Sequence, residues 1–164
     1  MKKLCNIKFS AVALLLLITL GCQYRSQDDL SKVVGVKDGD TIEILNNDNT
    51  TQVVRLLDID CPEKGQPFGK VAKQYCSDLC FGKAVKVVSK GKDRWGRVLG
   101  TVYVDDNICV NRAMVRAGLA WHFKKYSSNE DYARLEDKAR ANKVGLWQDP
   151  NPTAPWEWRK RKKG

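Results

Sequence analysis

Apolar and polar residues alternate from Lys32 to Ile59 with the period of two that a half-buried strand requires. Three runs stand out, at 32–36, 41–45 and 51–59. Asp38-Gly39 joins the first two, and Asn46-Asn47-Asp48-Asn49 supplies a hairpin loop for the second pair. A polar loop at 64–67 follows, and from 68 to 81 the period changes to that of a helix. Phe68, Val71, Ala72, Tyr75, Cys76, Leu79 and Cys80 would then share one face, with Gly82 ending the element. Runs at 84–89 and 98–104 predict two further strands around a charged connection at 91–96. Beyond the turn Asp105-Asp106-Asn107, residues 110–117 predict a short helix closed by Gly118. Residues 130–142 predict a longer amphipathic helix capped by Ser128 or Asn129. A proline-rich exit at 150–155 leads to Trp156-Glu157-Trp158 and a basic run at 159–163. Strands, a helix, strands and then helices make an α+β chain that is mainly β, without internal repeats.

The first residues belong to a different pattern. Lys2, Lys3 and Lys8 precede a short apolar run at 11–20, and Gly21-Cys22 follows. Such a run is too short to span a bilayer, so 1–21 is predicted to be a secretory signal peptide. Gly21-Cys22 looks like a lipoprotein cleavage box, although Thr19 stands where leucine is usual. Membrane attachment through a lipidated Cys22 and plain secretion both stay open. The expected organisation is a polar tether at 22–30, one domain at 31–150 and a Pro/Trp-containing basic tail at 151–164. Export would put the domain in the cell envelope, periplasmic or membrane-anchored, or outside the cell.

Charge and cysteines narrow the classes. The chain carries a net charge of +10; removing 1–21 takes away three lysines and leaves 26 basic against 19 acidic residues, a net of +7. A basic domain favours a polyanionic partner such as nucleic acid or an anionic envelope. Setting aside Cys5 in the leader and Cys22 at the cleavage box leaves Cys61, Cys76, Cys80 and Cys109, with three possible pairings. At least one bridge between the 68–81 helix and Cys61 or Cys109 is expected, with buried free thiols as the alternative. His122 is the only histidine. A two-histidine ribonuclease or a histidine-metal nuclease lacks its parts, a zinc site is not expected, and packing suits His122 best.

The chemistry concentrates in three motifs. In Arg55-Leu56-Leu57-Asp58-Ile59-Asp60-Cys61-Pro62-Glu63, an apolar strand ends among carboxylates. Asp58 and Asp60 would share one face of that strand end, with Glu63 in the loop beyond. Clustered carboxylates can hold a hard divalent cation and leave one acid free as a base, while an arginine holds phosphate through its fork. Upstream lies Val36-Lys37-Asp38-Gly39-Asp40-Thr41-Ile42, and downstream Asp93-Arg94-Trp95-Gly96-Arg97.

In this order the three motifs resemble the staphylococcal nuclease (thermonuclease) family, over roughly residues 32–147. The resemblance implies a five-stranded OB-fold barrel with about three packed α-helices. It implies a monomeric, calcium-dependent nuclease that acts on DNA, with RNA open as a second substrate. Attack would break the 5′ P–O bond and leave 3′-phosphate products. Asp40 and Asp60 would be the calcium carboxylates, and Cys61 would offer its backbone carbonyl where threonine is familiar. Asp58 falls where the family varies. Glu63 would be the general base, and Arg55 and Arg97 the phosphate clamp that stabilises a phosphorane-like transition state. Arg94 and Trp95 would touch substrate, Tyr126 would stack on the nucleotide, and Lys124 stands in for a second tyrosine. The basic tail would add a salt-sensitive grip on nucleic acid. A non-catalytic OB-fold module that binds nucleic acid in the envelope, or a structural envelope lipoprotein, are the competing classes.

Overall fold

The computed structural model describes residues 30–161, apart from 106. The signal segment, Cys22, the tether as far as 29, and Lys162 and Lys163 of the basic run lie outside the described residues.

Strands β1 (Leu30–Asp38), β2 (Thr41–Leu45) and β3 (Thr51–Leu56) form an antiparallel meander, with Val36 opposite Ile42 and Thr41 opposite Arg55. Strand β4 is the short Ile59–Asp60. Strand β5 (Ala84–Lys92) pairs antiparallel with β1 and with β6 (Val98–Val104). A parallel contact between β3 and β6, Val54 opposite Val98, closes the sheet on itself. The result is a closed, mixed five-stranded barrel, ordered β1-β2-β3-β6-β5. Two short strands complete the set: β7 (Ile108–Cys109) pairs antiparallel with the end of β6, and β8 (Trp121–His122) pairs with β4. The described residues form four α-helices: α1 (Gly69–Cys80), α2 (Val110–Arg116), α3 (Glu130–Ala141) and α4 (Pro155–Arg161). This mainly β, α+β architecture is the OB-type barrel that the motifs implied.

Alternation explains the core. Along β6 every second residue is buried, so Val98, Val102 and Val104 point inward with Val33, Ile42, Val54 and Val85. Gly100 keeps that face clear, since a Cβ there would lie 2.8 Å from a Val87 methyl. Ala72, Cys76 and Cys80 of α1 cap one end, with Met114 and Val115 of α2. A second apolar cluster gathers Trp121, Ala139, Leu146, Trp147 and Ala154. Within it the Trp121 and Trp147 rings meet edge to face at 4.4 Å, and the Arg140 guanidinium lies 3.7 Å from the Trp147 ring centre. Asn129 caps α3 by accepting from the Asp131 N–H at 3.0 Å, as its position predicted.

Three expectations change. The run 51–59 is not one strand: Asp58 has φ 67°, in the left-handed region, and breaks it after Leu56. Asp58 and Asp60 therefore share no strand face; the Asp58 carbonyl instead accepts from the Phe123 N–H at 2.9 Å, fixing the turn. Phe68 also sits at positive φ and precedes α1 rather than starting it, and Val71 is 53% exposed, off the buried stripe. The expected disulfide is absent, because Cys61, Cys76, Cys80 and Cys109 are free thiols. The first three are buried and fill small spaces as hydrophobes do, with the Cys80 Sγ donating to the Cys76 carbonyl at 3.1 Å.

One fully buried amide ties the barrel to the helices. Asn111 Oδ1 accepts from the Val102 N–H at 3.0 Å, and its Nδ2 donates to the carbonyls of Leu57 at 3.0 Å and Gly100 at 3.2 Å. Asn111→Ala leaves these three main-chain groups without their side-chain partner. It is expected to lower the free energy of unfolding by about 3 kcal/mol, read as a fall in the urea midpoint at unchanged slope.

Candidate active site

The site grows from one arginine on β3. Register places Arg55 opposite Thr41, beside the turn that carries Asp40. The two ends of its guanidinium reach two carboxylates: Nη1 pairs with Asp40 Oδ1, and Nη2 with Asp60 Oδ1 at 2.7 Å. Asp40 and Asp60 are 4% and 1% exposed, so their charges are out of water and need this partner. Main chain completes the frame. The Asp40 carbonyl accepts from the Leu56 N–H at 2.8 Å, and Asp40 Oδ2 from the Cys61 N–H at 2.6 Å. Two carboxylates distant in sequence thus converge on one fork, with the Cys61 backbone against them. Burial pushes the Cys61 thiol well up, which keeps it neutral and offers no thiolate.

Glu63 follows Pro62 in the next loop, with its side chain 37% exposed. Gln66 shapes that loop from both sides. Its N–H donates to the Glu63 carbonyl at 2.9 Å, and its Oε1 accepts from the Glu63 N–H at 3.0 Å. Gln66 Nε2 then donates to the Thr153 carbonyl at 2.6 Å, tying the loop to the segment ahead of α4.

Helix α4 brings in a residue that no local pattern announced. Arg159 Nη2 lies 2.7 Å from Asp60 Oδ2, and its Nη1 lies 2.5 Å from Glu63 Oε1 and 3.2 Å from Asp60 Oδ1. Hydrogen bonding to Asp60 first, and then to Glu63, raises the guanidinium pKa further above its ordinary value. The cluster therefore gathers Asp40, Arg55, Asp60, Cys61 and Glu63 and adds Arg159.

Arg97 makes its bonds in a turn of its own. It precedes β6, the strand that pairs with β3, but its Nε donates to Asp93 Oδ2 at 2.7 Å. Asp93 organises the whole turn: its Oδ1 also accepts from the N–H groups of Trp95 at 2.9 Å and Arg97 at 3.0 Å. Burial works against the charge on Asp93, but the Arg97 hydrogen bonds outweigh it and leave the carboxyl below its usual value. Trp95 is 66% exposed, with the Arg94 guanidinium 4.1 Å from its ring centre. This basic, aromatic turn faces solvent.

Lys124 and Tyr126 likewise have contacts of their own. Lys124 Nζ is 3.5 Å from Glu136 Oε2, and the exposed Tyr126 ring meets Phe123 edge to face at 4.9 Å. Both line a groove of about 550 Å³ that also includes Trp121, Phe123, Trp156 and Arg159. Arg159 thus belongs to both groove and carboxylate cluster. Of the groove's rings, Trp121, Phe123 and Trp156 carry no motif that marks them; Phe123 and Trp156 stack with planes 11° apart and centres 5.5 Å apart. His122 is buried, its Nε2 3.0 Å from Ser127 Oγ, and burial lowers its pKa.

Known proteins match this chain over most of its length. The family described as staphylococcal nuclease homologue matches residues 53–149. An uncharacterized endonuclease of Haemophilus influenzae is 39% identical over 158 residues, which cover 96% of this chain and 88% of its own. A micrococcal nuclease of Shigella flexneri is 39% identical over 164 residues, with 94% and 91% covered. A staphylococcal-like nuclease of Arabidopsis thaliana is 41% identical over 111 residues, 68% of this chain and 34% of the plant protein.

Glycine at 69 is a structural condition of the site, because a Cβ there would lie 2.2 Å from the Glu63 carbonyl oxygen. Gly69→Ala must push the Glu63 loop away from α1. The expected cost is about 2 kcal/mol, as for other overpacked positions, measured as a lowered urea midpoint.

Proposed function

Because the chain belongs to the staphylococcal nuclease family, we propose that it is a calcium-dependent nuclease that hydrolyses phosphodiester bonds of DNA, and of RNA as a second substrate. The observation that carries this reading is the convergence of Asp40 and Asp60 on the Arg55 fork with Glu63 alongside. Export through residues 1–21, with Cys22 as a lipid anchor or the chain released, would set the enzyme to work in the envelope or outside the cell. The enzyme is taken to act as a monomer.

The donor set fits calcium. Among the described residues no group of three or more His, Cys, Asp or Glu side chains forms a ready-made metal cage. Calcium does not need one, since it takes oxygens in loose geometry and accepts main-chain carbonyls and water. Asp40, Asp60 and the Cys61 carbonyl are the residues that would hold it. When bound, it would add positive charge beside the scissile phosphate.

The chain's own groups supply the rest. Glu63 orients a water and accepts its proton as the oxygen bonds to phosphorus. The bond to the 5′ oxygen breaks, that oxygen takes up a proton from solvent water, the phosphate stays on the 3′ side, and Glu63 returns its proton to solvent. Arg55 and Arg97 bind the non-bridging oxygens, where a fork matches the geometry and a lysine does not. Removing one such charge-stabilising donor costs about a hundredfold in rate or more. Trp121, Phe123, Lys124, Tyr126 and Trp156 offer bases and sugars a groove of rings and ammonium groups. The exposed turn at Arg94 and Trp95 extends the contact, and the net positive charge draws the polyanion in.

Plasmid DNA and RNA incubated with the folded protein should be cut with calcium and left intact with a chelator. A gel shift without cleavage under calcium would instead identify a binding module. In Glu63→Gln, affinity for DNA should hold while kcat falls by at least about a hundredfold, measured by fluorescence anisotropy and single-turnover digestion.

A further inference from the structure

The basic end of the chain contains more than a solvated tail. Ala154 and Pro155 are buried where α4 begins, and the Trp156 ring packs on Phe123 and, at 5.4 Å, against Trp121. Gln66 joins the segment before α4 to the Glu63 loop through the Thr153 carbonyl. The helix is therefore docked, and it presents Arg159 from a fixed base. Arg159 approaches Asp60 through both nitrogens of its fork and Glu63 through one. With Arg55 on Asp60 Oδ1, both oxygens of that carboxylate are engaged by guanidinium groups.

We infer that Arg159 is a further residue of the active site, a tethered cation that holds Asp60 and Glu63 together and competes with a divalent cation for Asp60. The inference rests on the calcium reading above. Three carboxylates, Asp40, Asp60 and Glu63, face two guanidinium groups, Arg55 and Arg159. Without Arg159 the cluster gains one unit of negative charge, and Asp60 loses a partner held within hydrogen-bond reach. Opposite charges at such range attract strongly where water is scarce, and a dication entering beside a fixed guanidinium is repelled. Tethering strengthens the competition, because the docked helix has already lost the freedom that a free cation would lose on binding. The helix thereby sets how much calcium the site requires.

The test is calorimetric titration of the full, metal-stripped chain with calcium chloride in the absence of nucleic acid. Arg159→Gln should bind calcium about tenfold more tightly than the natural chain, or better. Arg159→Lys keeps the charge but loses the fork, so it should shift affinity the same way by a smaller factor. It also carries the test should Arg159→Gln not fold. Trp156→Ala, which keeps Arg159 but removes the ring that docks α4, should also tighten binding. Equal or weaker calcium affinity in the folded Arg159 variants would overturn the inference alone. Failure of both natural chain and variants to bind calcium would remove the calcium reading and the inference with it.

Discussion

One guanidinium holds the architecture of this site. Arg55 spans Asp40, in the β1–β2 turn, and Asp60, on the short strand that leaves the barrel. Two carboxylates this buried would repel each other and resist desolvation if left to themselves. The arginine between them makes their proximity tolerable. Its position depends in turn on the register of β2 and β3, where Arg55 faces Thr41. A slip of one residue would turn Arg55 to the opposite face and separate all three groups. Strand pairing and site chemistry are therefore one constraint.

Around that triad, precision declines outward. Asp60 and Asp40 are fixed by buried main-chain and side-chain bonds. Glu63 is held through a loop that Gln66 clamps and that Gly69 allows to approach α1. The Asp93–Arg97 turn keeps its own internal bonds and faces solvent. Such a gradient suits a site that keeps its carboxylates rigid while a long polymer enters from outside.

Most of the barrel was legible because period-two alternation is a direct imprint of a sheet with one buried face, as in β2, where Glu43 stands between the buried Ile42 and Ile44. The break at Asp58 was not, since the apolar run continues through Leu57 and Ile59, and only a left-handed aspartate interrupts it. Arg55, Asp60 and Glu63 were legible because they fall within nine residues of one another, and Asp40 because its turn is a motif of its own. Arg159 lies 99 residues from Asp60 and 96 from Glu63. Nothing in a run of arginines and lysines says which one turns inward; that is decided by where Trp156 finds a ring to stack on. The thiols misled for a related reason, because helical spacing tells which way Cys76 and Cys80 point but not whether a partner sulfur waits there.

The parallel seam between β3 and β6 carries a last implication. It joins Val54 to Val98 and is the contact that turns an open ribbon into a ring. Contacts between segments so remote along the polymer form slowly, because much chain entropy is lost before they are made. Until that seam zips, β3, which carries Arg55, and β6, which follows Arg97, are not held side by side. A chain whose ring is still open accordingly lacks the completed frame of the site, so barrel and site are finished together.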